Sequence, residues 1–151
     1  MSPEKKLLEL GITLPKAPTP LGSYTPIVQT GNLLFLSGIL PLVNGKLVRQ
    51  GYVGKDISLA DAQEGAKVAT INALSILKFH LGSLDKIKKC VKFTGYVASA
   101  SDFKEQPSVL NPASDLIFEI FGEIGIHARS AIGVNILPMN SPLELEFIFE
   151  V

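Results

Sequence analysis

The stretch HARSAIGVNILPMNSPLELEFIFEV, residues 127–151, contains two segments in which the side chains alternate in character. A period of two residues is typical of β-strands, and it predicts strands at about 129–137 and 143–151, joined by PMNSP. In the second strand one face is an apolar row, and the opposite face carries glutamates together with Ile148. The end of the chain is therefore predicted to be two strands of a sheet.

Arg129 lies inside the first of these strands, on the face that it shares with Ala131, Gly133 and Asn135. Glycine and alanine leave room for a ligand or for another backbone to approach. A guanidinium presents a planar fork of donors that fits a carboxylate. Two interpretations stay open from these residues alone: a site for a small carboxylate, or a strand arginine that simply reaches solvent.

Upstream, the clearest element is a helix. Ser58 and Asp61 form a start similar to a capping box, apolar residues follow at helical spacing, and Gly82 supplies the end. A second helix is predicted at about 113–121, with its apolar face toward the core.

The other segments favour strands and turns. NLLFLSG at 32–38 and KIKKCVKFTGYVAS at 86–99 are β-like, and Asn44 with Gly45 predicts a hairpin. The order of elements predicts an α+β fold with a mixed sheet and two main helices packed on one face. We expect residues 1–151 to form one domain.

Composition narrows the classes of function. Acidic and basic residues number 14 each in 151 residues, so the basic excess typical of a nucleic-acid-binding protein is absent. Cys90 is the sole cysteine, which excludes an intramolecular disulfide. No apolar run approaches the length of a membrane span. We therefore predict a soluble cytoplasmic protein with neither nucleic acid nor membrane as a partner.

Cofactor and metal signals are weak. His80 and His127 lie far apart without metal-ligand spacing, and no Gly-rich phosphate loop is found. Cys90 is better explained by packing than by nucleophilic chemistry. No serine has a histidine partner that the sequence reveals, so nucleophilic hydrolysis has no support. We predict no cofactor and no metal.

Two motifs carry a resemblance to a known family. They are LGSYTPIVQTGNLLFLSGILP, beginning at residue 21, and HARSAIGVNILPMNSPLELE, beginning at residue 127. They resemble the Gly-x-Tyr opening, the Ser-Gly-x-(Ile/Leu)-Pro strand end and the Ala-Arg-Ser strand of the Rid family. Its members, the reactive intermediate deaminases, are also called YjgF-type or endoribonuclease L-PSP proteins. The resemblance runs from about Pro20 to Val151 and is that of a divergent branch.

The resemblance implies a chorismate-mutase-like fold and a homotrimer with three clefts between subunits. It implies hydrolysis of imines or enamines of the 2-aminoacrylate type to 2-keto acids and ammonia, without a cofactor. Arg129 matches the arginine that pairs with the substrate carboxylate, and Glu144 matches the glutamate that positions water or assists proton transfer. These two are the catalytic candidates. The candidate substrate-binding residues are Tyr24, Ser37, Gly38, Asn111 and Ala131.

Departures from the family pattern leave the activity open. Ala131 stands where central members have cysteine, and Ile39 stands where many have glutamine, which makes the cleft more apolar. One alternative is a trimer that binds a small carboxylate or metabolite without turnover. Another is an endoribonuclease, against which the balanced charge argues.

Structural roles also stay open for some candidates. Tyr24 would be a packed loop tyrosine, Glu144 a solvent-facing strand residue, and Asn111 a helix cap before Pro112. The loop before Asn111 is also about four residues longer than the family pattern. If PMNSP closed a simple hairpin, Glu144 would lie about 13–23 Å from Arg129 at about 3.3 Å per residue. One chain would then place both at one substrate only with difficulty.

Overall fold

A computed structural model describes residues 1–18 and 23–151. Pro20, Leu21 and Gly22, where the family resemblance begins, lie outside the described residues. The helices and strands are α1 Pro3–Glu9, β1 Ile27–Thr30, β2 Leu33–Leu36, β3 Leu42–Val43, β4 Lys46–Leu47, α2 Leu59–Leu81, β5 Lys89–Ala98, α3 Gln106–Phe121, β6 Ala128–Val134 and β7 Leu143–Glu150. Across the described ranges, no helix is both long and apolar enough to cross a membrane.

Five strands form one sheet in the order β1-β2-β7-β5-β6, and β3 and β4 form a separate hairpin. β5 is antiparallel to β7 and parallel to β6, so the sheet is mixed. Both long helices pack on the same face: α2 reaches Leu143 through Gly65, and α3 reaches Gly95 through Leu110. The predicted α+β architecture is confirmed.

The last two strands do not form a hairpin, because β5 lies between them. Phe93 of β5 pairs with Arg129 on one side and with Phe147 on the other. Pro138 and Pro142, which flank the connection, have no N–H to donate to a ladder. The chain therefore leaves the sheet after β6 and returns on the far side of β5.

The long helix α2 begins and ends as its sequence predicts. Ser58 Oγ accepts a hydrogen bond from the backbone N–H of Asp61 at 3.1 Å. Gly82 ends the helix with φ +81°, a left-handed conformation that glycine adopts without steric cost. The face toward the sheet is built largely from small, fully buried residues such as Ala66, Ala69 and Ala73, which let the helix approach closely.

Helix α3 begins at Gln106, seven residues before the predicted start at 113, so the prediction of Asn111 as a helix cap is wrong. Pro112 lies inside the helix and cannot donate to the carbonyl of Ser108, four residues earlier. Gln63 of α2 replaces this donor, because its Nε2 donates to the Ser108 carbonyl oxygen at 2.8 Å. A side chain from another helix thus satisfies the carbonyl that Pro112 leaves without its donor within the helix.

We expect Gln63→Ala to lower the free energy of unfolding by about 1 kcal/mol, since it leaves the Ser108 carbonyl without its donor. Urea denaturation would measure this. The matched control is the same substitution in a Pro112→Ala background, where alanine restores the N–H within the helix. Equal losses in the two backgrounds would show that Gln63 does not compensate for the proline.

Candidate functional site

Arg129 points toward the helix-covered face of the sheet, because it pairs laterally with the buried Phe93. Its Nη1 donates to Asn111 Oδ1 at 3.0 Å and to Ser114 Oγ at 3.1 Å, both on α3. Nη1 carries two hydrogens, so these two acceptors use both. Within residues 1–18 and 23–151, Nε and Nη2 have no acceptor and Arg129 forms no ion pair. The Nε–Nη2 edge of the guanidinium is therefore unpaired in the described part of the chain.

A serine–histidine contact adjoins the arginine. His127 Nδ1 lies 2.7 Å from the carbonyl oxygen of Gly125, and its Nε2 lies 3.0 Å from Ser114 Oγ. A carbonyl oxygen only accepts, so Nδ1 carries the hydrogen, and in the neutral ring Nε2 accepts from the serine hydroxyl. No pattern in the sequence predicted a histidine partner for a serine, and the fold supplies one by bringing Ser114 against His127.

This pair resembles a nucleophile beside a general base, but its surroundings indicate a different task. Ser114 Oγ also accepts a hydrogen bond from the cationic Arg129, which withdraws electron density from the oxygen. A serine that donates to a histidine and accepts from an arginine joins the two side chains.

Two signals in the sequence could have revealed these residues. His127 stands two positions before Arg129 and directly before β6, so an extended chain would direct both side chains to the same side. Ser114 stands three positions after Asn111, which puts both on one face of a helix that contains them. The second signal was lost because the helix was predicted to begin after Asn111.

The small residues beside Arg129 have a structural explanation. A Cβ at Gly133 would lie 2.8 Å from Gln106 Nε2, and one at Gly95 would overlap the side chain of Leu110. These glycines let α3 pack closely on the sheet, so a helix occupies the room that the sequence offered to a ligand. Ala131 is half-buried and packs against the core.

A second group of candidates gathers where β2 ends. Ile39 exchanges two backbone hydrogen bonds with Leu145, at 2.8 and 3.0 Å. These bonds press Gly38 against Glu144 so closely that a Cβ at Gly38 would overlap the carboxylate. Ser37 Oγ donates to the carbonyl oxygen of Thr25 at 2.7 Å, which ties the strand end to the loop of Tyr24.

Four residues near the end of β2 line part of a cavity of about 560 Å³: Tyr24, Ser37, Gly38 and Ile39. The Tyr24 residue is 57% exposed, so it is not the packed loop tyrosine that one interpretation suggested. Ile39 is buried, and alternation along the chain directs it away from the Gly38–Glu144 contact. The isoleucine therefore changes the cavity wall and not the surroundings of the carboxylate.

Glu144 is a half-buried residue in an electrostatic setting unusual for a strand glutamate. Burial, and then the negative charge of Glu146, raise the pKa of Glu144 above its ordinary value. Glu146 in turn accepts a hydrogen bond from the Tyr96 hydroxyl at 2.8 Å. A carboxyl with a raised pKa exchanges protons closer to neutral pH.

The two groups cannot meet within one chain. Arg129 is in register with Phe93 and Phe147 and lies on the same face of the sheet, whereas Glu144 is paired with Tyr96. Positions 144 and 147 are three apart on one strand, so their side chains point to opposite faces of the sheet. Arg129, Asn111 and Ala131 therefore form one partial site, and Tyr24, Ser37, Gly38 and Glu144 form another.

Residues 4–151 match the family described as "YjgF/chorismate mutase-like, putative endoribonuclease". This chain belongs to the YjgF/Rid family. Protein TCP17 of Trypanosoma cruzi is 37% identical over 146 residues, which cover 96% of this chain and 91% of that protein. The 2-iminobutanoate/2-iminopropanoate deaminase of Dermatophagoides farinae is 29% identical over 137 residues, covering 91% and 92%.

Among solved structures, protein Atu1372 of Agrobacterium tumefaciens, of unknown function, has a TM-score of 0.92 at 43% identity. The match covers 99% of this chain and 92% of that one. The predicted membership of the Rid family and the predicted fold are both confirmed. Family members include proteins named as deaminases, which supports a deaminase-like role at the level of the family.

The Rid-family motif Ser-Gly at 37–38 has a testable requirement for glycine. We expect Gly38→Ala to displace the Glu144 carboxylate and to reduce the imine hydrolysis proposed below about 10- to 100-fold. Gly65→Ala is the matched control, because its methyl would meet Leu143 at an ordinary 3.4 Å and alanine favours a helix. Steady-state kinetics and thermal melts on both variants would check this. Full activity in Gly38→Ala would contradict it.

Proposed function

We propose that this protein hydrolyses imines or enamines of the 2-aminoacrylate type to 2-keto acids and ammonia, in clefts between the subunits of a homotrimer. The observation that carries the proposal is the Nε–Nη2 edge of Arg129, which has no acceptor among the described residues. A guanidinium edge of this kind pairs with a carboxylate in a bidentate way. Substrates derived from amino acids carry that carboxylate beside the reacting carbon.

The chemistry requires only water and proton transfers. An enamine first takes a proton on carbon and releases one from nitrogen, which gives the imine. Water then adds to the imine carbon, a proton moves to nitrogen, and the C–N bond of the carbinolamine breaks as the C=O bond forms. One water is consumed, one ammonia leaves, and no electron acceptor is needed.

The residues divide this work by their positions. Arg129 holds the carboxylate, and Asn111, whose Oδ1 accepts from Arg129, keeps its amide hydrogens for the substrate. Glu144 takes a proton from the attacking water and returns it to the leaving nitrogen, a task that its raised pKa favours. Gly38 lies against the Glu144 carboxylate, and Tyr24 and Ser37 line the neighbouring cavity together with Gly38.

Two features support a cleft between subunits. The partial sites lie on opposite faces of one sheet, so a second chain is needed to bring an arginine and a glutamate together. The face without helices also carries exposed apolar side chains: Val28, Phe35 and Ile132 are 53%, 39% and 42% exposed. An apolar surface of this kind fits burial against another copy of the chain.

Imine hydrolysis by the purified protein tests the proposal. An amino-acid oxidase generates imines, semicarbazide competes for them, and the protein is expected to reduce semicarbazone formation. A protein that leaves the semicarbazone rate unchanged across a broad set of amino acids would contradict the enzymatic proposal.

The second candidate function is binding without turnover, and Ala131 in place of the family's cysteine favours it. Calorimetric titration with 2-oxobutanoate separates the two candidates. Binding with no imine hydrolysis would support a carboxylate-binding trimer.

A further inference from the structure

We propose that Ser114 and His127 are positioning residues, which hold Arg129 so that its Nε–Nη2 edge faces the substrate carboxylate. The inference rests on the proposed function, because it assigns a task to two side chains that need not touch the substrate. It begins from the geometry of the guanidinium. Its Nη1 is held on two sides, by Asn111 and by Ser114, while the opposite edge has no acceptor in the described part of the chain.

The hydrogen bonds run in one direction from the arginine to the backbone. Arg129 Nη1 donates to Ser114 Oγ at 3.1 Å, and with a neutral His127 ring the serine hydroxyl donates to Nε2, which lies 3.0 Å away. His127 Nδ1 donates to the Gly125 carbonyl oxygen at 2.7 Å. When the serine hydroxyl donates to histidine, the lone pairs of its oxygen face the arginine. The tautomer of His127 therefore determines the orientation of the Ser114 hydroxyl that accepts the hydrogen bond from Nη1.

The His127 end of this series of hydrogen bonds is held in place by packing. The His127 ring packs on Phe93 with ring centroids 5.6 Å apart, and Phe93 stacks on Phe147 at 4.9 Å. Gly125 is buried, and a Cβ there would lie 2.7 Å from the carbonyl oxygen of Ile117 on α3. The aromatic core and a tightly packed turn thus hold the ring that orients Ser114.

Because Arg129 is held in place before the substrate arrives, its hydrogen bonds to Asn111 and Ser114 should increase the affinity for substrate more than the rate of the chemical step. A flexible side chain that is held in place before the ligand arrives loses less freedom on association. Without Ser114, Nη1 keeps one partner, and the guanidinium can rotate about the bonds of its side chain. We expect Ser114→Ala to raise the Kd for 2-oxobutanoate and the KM for imines about 3- to 10-fold, with kcat changed less than about twofold.

Matched variants separate positioning from a general structural role. Ser114→Thr keeps the hydroxyl and is expected to restore native affinity. His127→Phe keeps an aromatic ring against Phe93 but removes the acceptor, so it should reproduce the effect of Ser114→Ala. In an Arg129→Ala background, Ser114→Ala should cause no further loss of affinity.

Titration calorimetry with 2-oxobutanoate and steady-state kinetics on these variants provide the test, with thermal melts to confirm folding. Native affinity in both Ser114→Ala and His127→Phe, while Arg129→Ala loses binding, would overturn this inference alone. Native affinity in Arg129→Ala would overturn the proposed function as well. Equal losses from Ser114→Ala with and without Arg129 would show that the serine acts elsewhere.

Discussion

Arg129→Ala is expected to lower kcat/KM for imine hydrolysis about 100-fold or more, the largest effect among the substitutions on this face. The substitution removes two charge-assisted hydrogen bonds to the substrate carboxylate, each with a typical effect of about tenfold or more. The fold should tolerate the change, because the side chain is only half-buried and forms no ion pair among the described residues. The semicarbazide competition assay measures the loss.

Two variants make this result interpretable. Arg129→Lys keeps the charge but not the planar fork, so its activity should lie between those of the native protein and Arg129→Ala. Arg49→Ala removes an exposed arginine whose ion pair with Asp61 spans 3.6 Å, and it should leave activity unchanged. Similar losses in Arg129→Ala and Arg49→Ala would argue that charge in general, and not the carboxylate contact, is responsible.

Glu144→Gln is expected to lower kcat about 100-fold or more, within the usual contribution of general acid–base catalysis. In the native protein the rate should fall as the pH falls through the pKa of Glu144, because the protonated carboxyl no longer accepts a proton from water. Burial and Glu146 raise this pKa, so the fall should occur above the ordinary range of glutamate. Glu146→Gln removes the neighbouring charge and should move the fall to lower pH.

Stability provides an independent check on Glu144. A carboxyl whose pKa is raised in the folded state binds its proton more tightly there than in the unfolded chain. Its contribution to stability therefore falls as the pH rises from the unfolded pKa through the folded pKa. Glu144→Gln removes this contribution, so its melting temperature at neutral pH should match or exceed that of the native protein. A lower melting temperature together with lost activity would indicate unfolding and not lost catalysis.

Mixed oligomers test whether one cleft draws on two chains. Arg129→Ala and Glu144→Gln are each expected to retain about a hundredth of the native activity or less. When the two are unfolded together and refolded at equal concentrations, random assembly should give about a quarter of the clefts one intact arginine and one intact glutamate. Activity should then rise toward about a quarter of the native value. No recovery in oligomers verified to contain both variants would mean that the two residues do not act in one cleft.

Local patterns were sufficient for most of the fold. Ser58, Gly82 and the spacing between them predicted α2, because capping and helical periodicity act between neighbours in sequence. Asn44 and Gly45 predicted a hairpin that forms with both residues at positive φ. The Ser-Gly and Ala-Arg-Ser motifs indicated the family and its candidate residues.

The sequence by itself thus determined the α+β class, the family and the identity of Arg129 and Glu144 as candidates. Tertiary structure alone decided that β5 lies between β6 and β7 and that Ser114 contacts His127. It also decided that Gln63 of α2 donates to the Ser108 carbonyl, which Pro112 leaves without its donor. It also placed the two catalytic candidates on opposite faces of the sheet. These outcomes depend on contacts between residues that are distant in the chain. Packing and the hydrogen bonding of buried polar groups select among the alternative pairings of such residues, and a local sequence pattern does not contain that information.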